Sequence, residues 1–385
     1  MEPLNAVAAA AHANPYPYYR RLLGGPELAF DPSLALWVAS RASVIGEVMA
    51  NVHCHVRPTG EPVPSAITGT SAGAVFARMV RMNEGPFHAQ AKRAIIEAMA
   101  ALDAASTAQR SLGLASTLAR RHGVPDDAAI TRWMVDLPTW VVADLLGFDE
   151  AGLPQVAQWT AAFVRCLSPL STPQQLADAS IAAQALGESI AALVENDAGH
   201  GLARRAAQLG LPDRDALIAN LVGLLSQTHE ATAGLIGNCI VALLNQTGMQ
   251  ARLRADPRLA GAFVREVARC DPPVQNTRRF VTQPTTVAGV ALQPGDVILL
   301  LLAAAGGDER AHADAGTFSL ERADRTLYGF GQGRHACPGQ DLAFIIATSA
   351  VQYLLSLPHP LALQTLTWTY APSVNARLPR FSTPS

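Results

Sequence analysis

The chain has 385 residues, 49% of them apolar, with a formal net charge of −2. That is enough apolar material for a sizeable core, and the near-neutral balance excludes the basic surface of a nucleic-acid or polybasic membrane binder. The opening "MEPLNAVAAAAHANPYPYYRR" carries an alanine run but no basic n-region and no long Leu/Val/Ile segment. It therefore reads as a lead-in rather than a signal or anchor. In chain order, Ala- and Leu-rich segments with helical spacing predict helices over roughly 15–24, 42–50, 88–102, 105–122, 127–147, 173–196, 213–246 and 258–270. The texture then changes: "RRFVTQPTTVAGVALQPGDVILLLLAAA" reads as short strands joined by turns. A loop over roughly 306–329 precedes a glycine-rich segment around Cys337, a helix over about 338–357 follows, and a strand pair is expected near 362–380. One mainly helical domain, 1–385, with β-rich portions near 278–305 and 362–380, is the expected organisation.

Two features carry chemistry. The predicted helix 213–246 has a start signal at Pro212 and Asp213 and a stop at Gly248. At about 34 residues it would be about 50 Å long and largely buried. Its middle nevertheless reads Ser226-Gln227-Thr228-His229-Glu230, a polar cluster that is costly in a core unless partners, water or a ligand meet it. A solvated helix face is the plainer reading. The second feature is "FGQGRHACPGQDLA". Gly331 and Gly333 permit tight backbone geometry, and Pro338 at a first helical position would make Cys337 the N-cap. Its sulfur would then face free N–H groups and a positive helix end, both favouring thiolate. Gly339 leaves room for a flat, bulky group. The alternative is an inert buried thiol. Five scattered cysteines (Cys54, Cys166, Cys239, Cys270, Cys337) with no CxxC pair make zinc, dithiol and disulfide chemistry unlikely and fit a reducing cytoplasm.

The segment Phe330-Gly331-x-Gly333-x-His335-x-Cys337-x-Gly339 resembles the haem-thiolate signature of cytochromes P450 at every fixed position. Glu266-Val-Ala-Arg269 resembles the ExxR helix of that family, "FSLER" its meander with Arg322 as third network member, and "THEATAGLIGN" its oxygen-binding helix. "PFHAQAKR" is similar to its haem-facing helix, and "NPYPYYRRL" is also typical. The resemblance spans essentially the whole chain. It implies the bacterial-type cytochrome P450 fold: a triangular helical domain with haem b (iron protoporphyrin IX) between the long central helix and the cysteine-loop helix.

By that resemblance Cys337 is the iron ligand, with Phe330, Gly331 and Gly339 shaping its surroundings. His88, Lys92, Arg279 and His335 are the propionate partners, though each taken alone reads equally as a surface charge. Lys92 stands where the family usually has Arg and offers a point charge rather than a fork, so Arg93 is a substitute. At the central helix the family pattern A-G-x-[E/D]-T-[T/S] becomes Gln227-Thr228-His229-Glu230-Ala231-Thr232. The acid is kept as Glu230 and the alcohol of proton delivery is lost at Ala231. Water, Thr228, Thr232 or a substrate hydroxyl would replace it. A water chain held by Thr228 and Glu230, completed by the substrate, is the expectation, with neutral drift at Ala231 the bland alternative. The family's helix bulges here, and Thr228 is expected to bond the carbonyl four residues back.

No flavin motif, second domain or iron–sulfur cysteine set occurs, so electrons are expected from an external ferredoxin or flavodoxin and its reductase. The expected function is a monooxygenase using dioxygen to hydroxylate a small or medium organic molecule in specialised metabolism. The alternatives are desaturation, coupling, rearrangement or peroxide-driven oxidation, which Ala231 favours, and a non-catalytic haem-binding or sensing protein. Neither nucleic acid nor membrane is an expected partner. The pocket is expected from residues 55–85, with a mobile lid rich in Pro, Gly, Ser and Thr, from 162–176, Leu224–Thr228, Asn276–Thr277 and the turn at 372–375.

Overall fold

A computed structural model describes residues 2–123, 127–196, 201–209, 211, 213–357 and 366–382. Its helices are α1 Tyr16–Leu23, α2 Ala42–Ala50, α3 Ser71–Arg78, α4 Gly85–Ala100, α5 Ala104–His122, α6 Asp127–Leu146, α7 Leu153–Phe163, α8 Pro173–Glu195, α9 Leu202–Ala207, α10 Arg214–Asn245, α11 Met249–Ala255, α12 Ala260–Cys270, α13 Leu302–Gly306 and α14 Gln340–Ser356. Every helix expected from periodicity appears within a few residues of its expected bounds. The shorter α3, α7, α9, α11 and α13 were not anticipated.

The strands are β1 Leu28–Asp31, β2 Leu36–Ala39, β3 Cys54–His55, β4 Thr277–Val281, β5 Thr285–Val287, β6 Val290–Leu292, β7 Val297–Leu300, β8 Thr367–Tyr370 and β9 Pro379–Ser382. One sheet has the order β1-β2-β7-β4-β3, and β5-β6 and β8-β9 form separate pairs. The predicted β-rich portions hold β4–β7 and β8–β9, except that residues 302–305 of the first are helical in α13, and a third portion at β1–β3 was not foreseen. The expected start at Pro212 and the expected strand residues 362–365 lie outside the described residues.

The central helix α10, 32 residues long, starts where Asp213 accepts from Ala216 N at 2.6 Å, a side-chain cap for a free N–H. It packs on α6, α3, α14 and α12. Gly234 and Gly237 make its close crossings possible: a Cβ at 234 would lie 2.8 Å from Pro273 Cβ, and one at 237 would lie 2.9 Å from Pro379 Cδ.

Behind α12, the fully buried Glu266 accepts from Arg269 Nη2 at 2.8 Å, Arg322 Nε at 3.3 Å and Arg325 Nε at 3.1 Å. Arg269 also donates to the carbonyls of Gly306, Ala315 and Thr317. The expected Glu-Arg-Arg network is present, with Arg325 as an additional member. Its backbone packing is tight, since a Cβ at Gly306 would stand 2.3 Å from Arg269 O. Gly306→Ala is expected to cost about 1–3 kcal/mol by overpacking, read from the denaturant midpoint at unchanged m-value.

Candidate functional site

The cysteine loop is built by its backbone. Gly331 and Gly333 take φ of +69° and +60°, the left-handed region open to glycine, and Cys337 N donates to Phe330 O at 2.8 Å to close the turn. Phe330 itself packs on Phe344, ring centroids 5.1 Å apart. Cys337 is not the N-cap. Pro338 and Gly339 form a turn first, and Gly339 caps α14, so the sulfur stands ahead of the helix end rather than on it. Of the five cysteines only Cys337 is exposed, yet burial is the leading influence on its thiol and pushes its pKa up, opposed by the Gly339 N–H and the Lys92 charge. Accessible surface within a crowd of protein atoms marks a side chain facing an internal recess rather than bulk water. A Cβ at Gly339 would sit 3.8 Å from that sulfur, an ordinary contact, which places this glycine beside the recess.

One flank of the recess gathers the expected cationic groups. His88 and His335 stack with centroids 4.4 Å apart. Both His88 Nε2 and Arg279 Nε are buried without a hydrogen-bond partner. Burial, then the charges of His335 and Lys92, lowers the His88 pKa to about 4, so it is neutral near pH 7. The other two are already engaged. Lys92 Nζ donates to Arg334 O at 3.1 Å and to Ala336 O, while Arg93 is exposed. His335 Nε2 pairs with Glu84 at 3.0 Å. Glu84 also accepts from Arg334 Nε at 3.0 Å. Burial raises its pKa, but His335 and Arg334 outweigh that and hold it at about 2.

Arg334 further donates to Asn51 O and Cys54 O, each at 3.0 Å. Sequence reasoning passed over both Glu84 and Arg334. A glutamate four residues before His88 at a helix start, and an arginine inside the glycine loop, were the available signals.

The polar notch of α10 lies within a helix that is α-helical without interruption, so the bulge implied by the resemblance is not seen as a break. Thr228 Oγ1 donates to Leu224 O at 2.8 Å, the bond expected, and Gln227 Nε2 donates to Gly223 O at 2.8 Å. His229 is buried and lies 3.0 Å from Thr139 Oγ1; burial lowers its pKa to about 4. Glu230 is exposed, Ala231 half-buried and Thr232 buried. The Glu230 carboxyl is raised by burial against the opposing charges of Arg165 and Arg81. Exposure together with desolvation again indicates a recess.

The expected pocket segments also meet: Asn276 Nδ2 donates to Val374 O at 3.0 Å. Part of the expected lid, Ser71–Arg78, is instead α3, capped by Thr70 and packed on α8 and α10. A cavity of about 670 Å³ lies away from this loop, lined by Tyr16, Tyr19, Asn238, Cys270 and Asp271 among others. In it Asp271 pairs with Arg377 at 2.8 Å and with Tyr16. It is not the site of this chemistry.

Residues 224–356 match the family model described as Cytochrome P450. A "Biotin biosynthesis cytochrome P450" of Bacillus subtilis is 25% identical over 63% of this chain and 63% of its own length. "Cytochrome P450 144" of Mycobacterium tuberculosis is 32% identical over 57% of this chain and 52% of its own. The chain thus spans between half and two thirds of the length of these curated relatives. In fold, the crystal structure of CalO2 superposes with a TM-score of 0.85 at 21% identity, covering 100% of this chain and 99% of that one. Over residues 224–356 in sequence, and throughout in fold, the chain is similar to cytochromes P450. A haem-thiolate cofactor is what that similarity implies, and the donor set fits one: a single sulfur on a recess, flanked by two buried donors without partners. Among the described residues no group of three or more His, Cys, Asp or Glu could hold a metal, and no helix is long and apolar enough to cross a membrane.

Proposed function

We propose that the chain is a haem-thiolate monooxygenase of the cytoplasm, inserting an oxygen atom from dioxygen into a small or medium organic substrate with electrons from a separate ferredoxin or flavodoxin and its reductase. The observation that carries this reading is the Cys337 sulfur, exposed to a recess yet desolvated, on a loop fixed by its own backbone. When bound, the haem (protoporphyrin IX) supplies a reducible iron whose thiolate ligand favours O–O cleavage over reversible oxygen binding. Cys337 would ligate it, the Gly339 N–H would bond the sulfur, and His88 and Arg279 would donate to the propionates through nitrogens that lack partners. Lys92 and His335 hold the loop and join the propionates only if they exchange their present partners.

Proton delivery falls to Thr228 and Glu230. Because Thr228 donates to Leu224 O, its oxygen is oriented with lone pairs free to accept from a water. The raised pKa of Glu230 brings its protonation nearer neutrality, as a proton relay requires. Thr232 is buried at 3% exposure and is the weaker candidate, and Ala231 offers no hydroxyl. Glu230→Gln is expected to slow product formation on the order of 10²-fold. Thr228→Ala is expected to lower the product formed per NAD(P)H, and an unchanged ratio removes Thr228 from the relay.

The test of the whole reading is NADPH consumption with a surrogate redox pair, followed by product mass. A gain of one oxygen atom supports monooxygenation. A loss of two hydrogens or an isomeric product supports the desaturating or rearranging chemistry that Ala231 favours. Purified protein without haem, or without product from any substrate that shifts the spin state, overturns both.

A further inference from the structure

The 3-10 turn Val80–Met82 leads into α4 and is docked on α10: Val80 N donates to Asn220 Oδ1 at 2.7 Å, and Met79 Cγ lies 3.7 Å from a Cβ built at Gly223. Arg81 therefore stands against the helix that carries the polar notch, a few residues before His88. Its Nε is buried without a partner, and the side chain makes no hydrogen bond or direct ion pair to any described residue. Other buried and half-buried arginines donate through at least part of their fork: Arg41 and Arg279 leave Nε unpartnered, as Arg81 does, but donate through Nη1 to Asp308 and to Arg278 O. Arg269 bonds Glu266 and three carbonyls, and Arg377 pairs with Asp271 and bonds the carbonyls of His12 and Ala13. Arg81 is half-buried, with its Nε unpaired and no direct ion pair; a guanidinium partly withdrawn from water in this way carries a desolvation cost that an incoming anion would relieve.

The groups whose charges act on Arg81 are Cys166 and Glu230, and Glu230 in turn feels Arg165 as well as Arg81. Two guanidiniums thus share one carboxylate on this recess, leaving a positive surplus. The expected propionate partners form a separate neighbourhood: His88 and Arg279 respond to Glu84 and Arg334, and His335 pairs with Glu84 at 3.0 Å. Val80, the residue before Arg81, clusters with Ala91 and Ile95 against Leu224, an apolar patch next to it in the chain.

We propose that Arg81 anchors a carboxylate carried by an otherwise apolar substrate, holding that end beside Glu230 and the notch of α10. A planar carboxylate matches the guanidinium fork in a bidentate pair. The inference rests on the haem-site reading above, and deepens it to a substrate class.

The test is calorimetric titration of the protein as isolated with dodecanoic acid, 4-phenylbutanoic acid and the corresponding alcohols. The acids are expected to bind at least about tenfold tighter than their alcohols. Arg81→Gln is expected to bring each acid down to its alcohol while alcohol affinity is kept, and Arg81→Lys to retain part of the preference. If Arg81 instead closes onto Glu230, no surplus charge remains. Acids and alcohols then bind alike to the unmutated protein, or neither binds, and the anchor is overturned without need of a variant. The ferrous-carbonyl spectrum of the same samples separates the two readings. A thiolate-type band with no acid preference removes the anchor alone, whereas an acid preference without that band removes the haem reading alone.

Discussion

Replacing Cys337 by serine abolishes the thiolate-type ferrous-carbonyl band and reduces turnover to that of free haem. No other cysteine can stand in. Cys54, Cys166 and Cys239 are buried and Cys270 is half-buried, and none of them lies on the loop that closes on Phe330 O. Serine leaves the loop itself intact, because the closing bond runs from the backbone N–H of residue 337 to Phe330 O, and the φ values at Gly331 and Gly333 are untouched. The variant is therefore expected to unfold at nearly the parent's denaturant midpoint while losing the band. A retained thiolate band in Cys337→Ser, or a collapsed midpoint without spectral change, contradicts the assignment.

The second large effect is on stability. Glu266→Gln leaves three guanidiniums around a neutral amide, and the fully buried Arg269 has no route to water. Removing one partner of such a buried pair typically costs about 3–5 kcal/mol. Arg325→Ala and Arg322→Ala should cost less, since each arginine sits nearer the surface than Arg269.

The pH dependence follows from the same group. Burial raises the Glu266 carboxyl, but the Arg269 hydrogen bond and charge, the Ser319 N–H and Arg325 together hold it below its usual range. A folded pKa below the unfolded one, about 4.3, gives a stabilising contribution that is complete above that value and lost as the pH falls through the folded pKa. Denaturant titrations at descending pH should show the parent losing this share and Glu266→Gln lacking that step.

The long helices were legible because Ala and Leu recur at helical spacing and Asp213 supplies a cap. The four-residue strands β1 and β2 were not, since "LAFD" and "LWVA" are too short for alternation to register. Helix α3 was hidden by its Gly, Ser and Thr content, which reads as loop until Thr70 caps it and α10 covers it. At the site, fixed motif positions located Cys337, Glu266 and Arg322. The turn at Pro338–Gly339 that separates Cys337 from α14 looked instead like the first residues of the helix. The pairings of Arg334 and His335 with Glu84 join residues some 250 positions apart in the chain, which local pattern cannot foretell.

The five-stranded sheet has a consequence for biogenesis. β2 lies parallel to β7, with Trp37 opposite Ile298, and β3 pairs with β4, with Cys54 opposite Val281. As the polypeptide leaves the ribosome, the β1–β2 hairpin keeps an unsatisfied edge until residues near 300 have been translated. Arg334 cannot clasp the carbonyls of Asn51 and Cys54 before then. Cofactor capture has to wait for the loop around Cys337, and the nascent chain carries its exposed edge until β7 has been made.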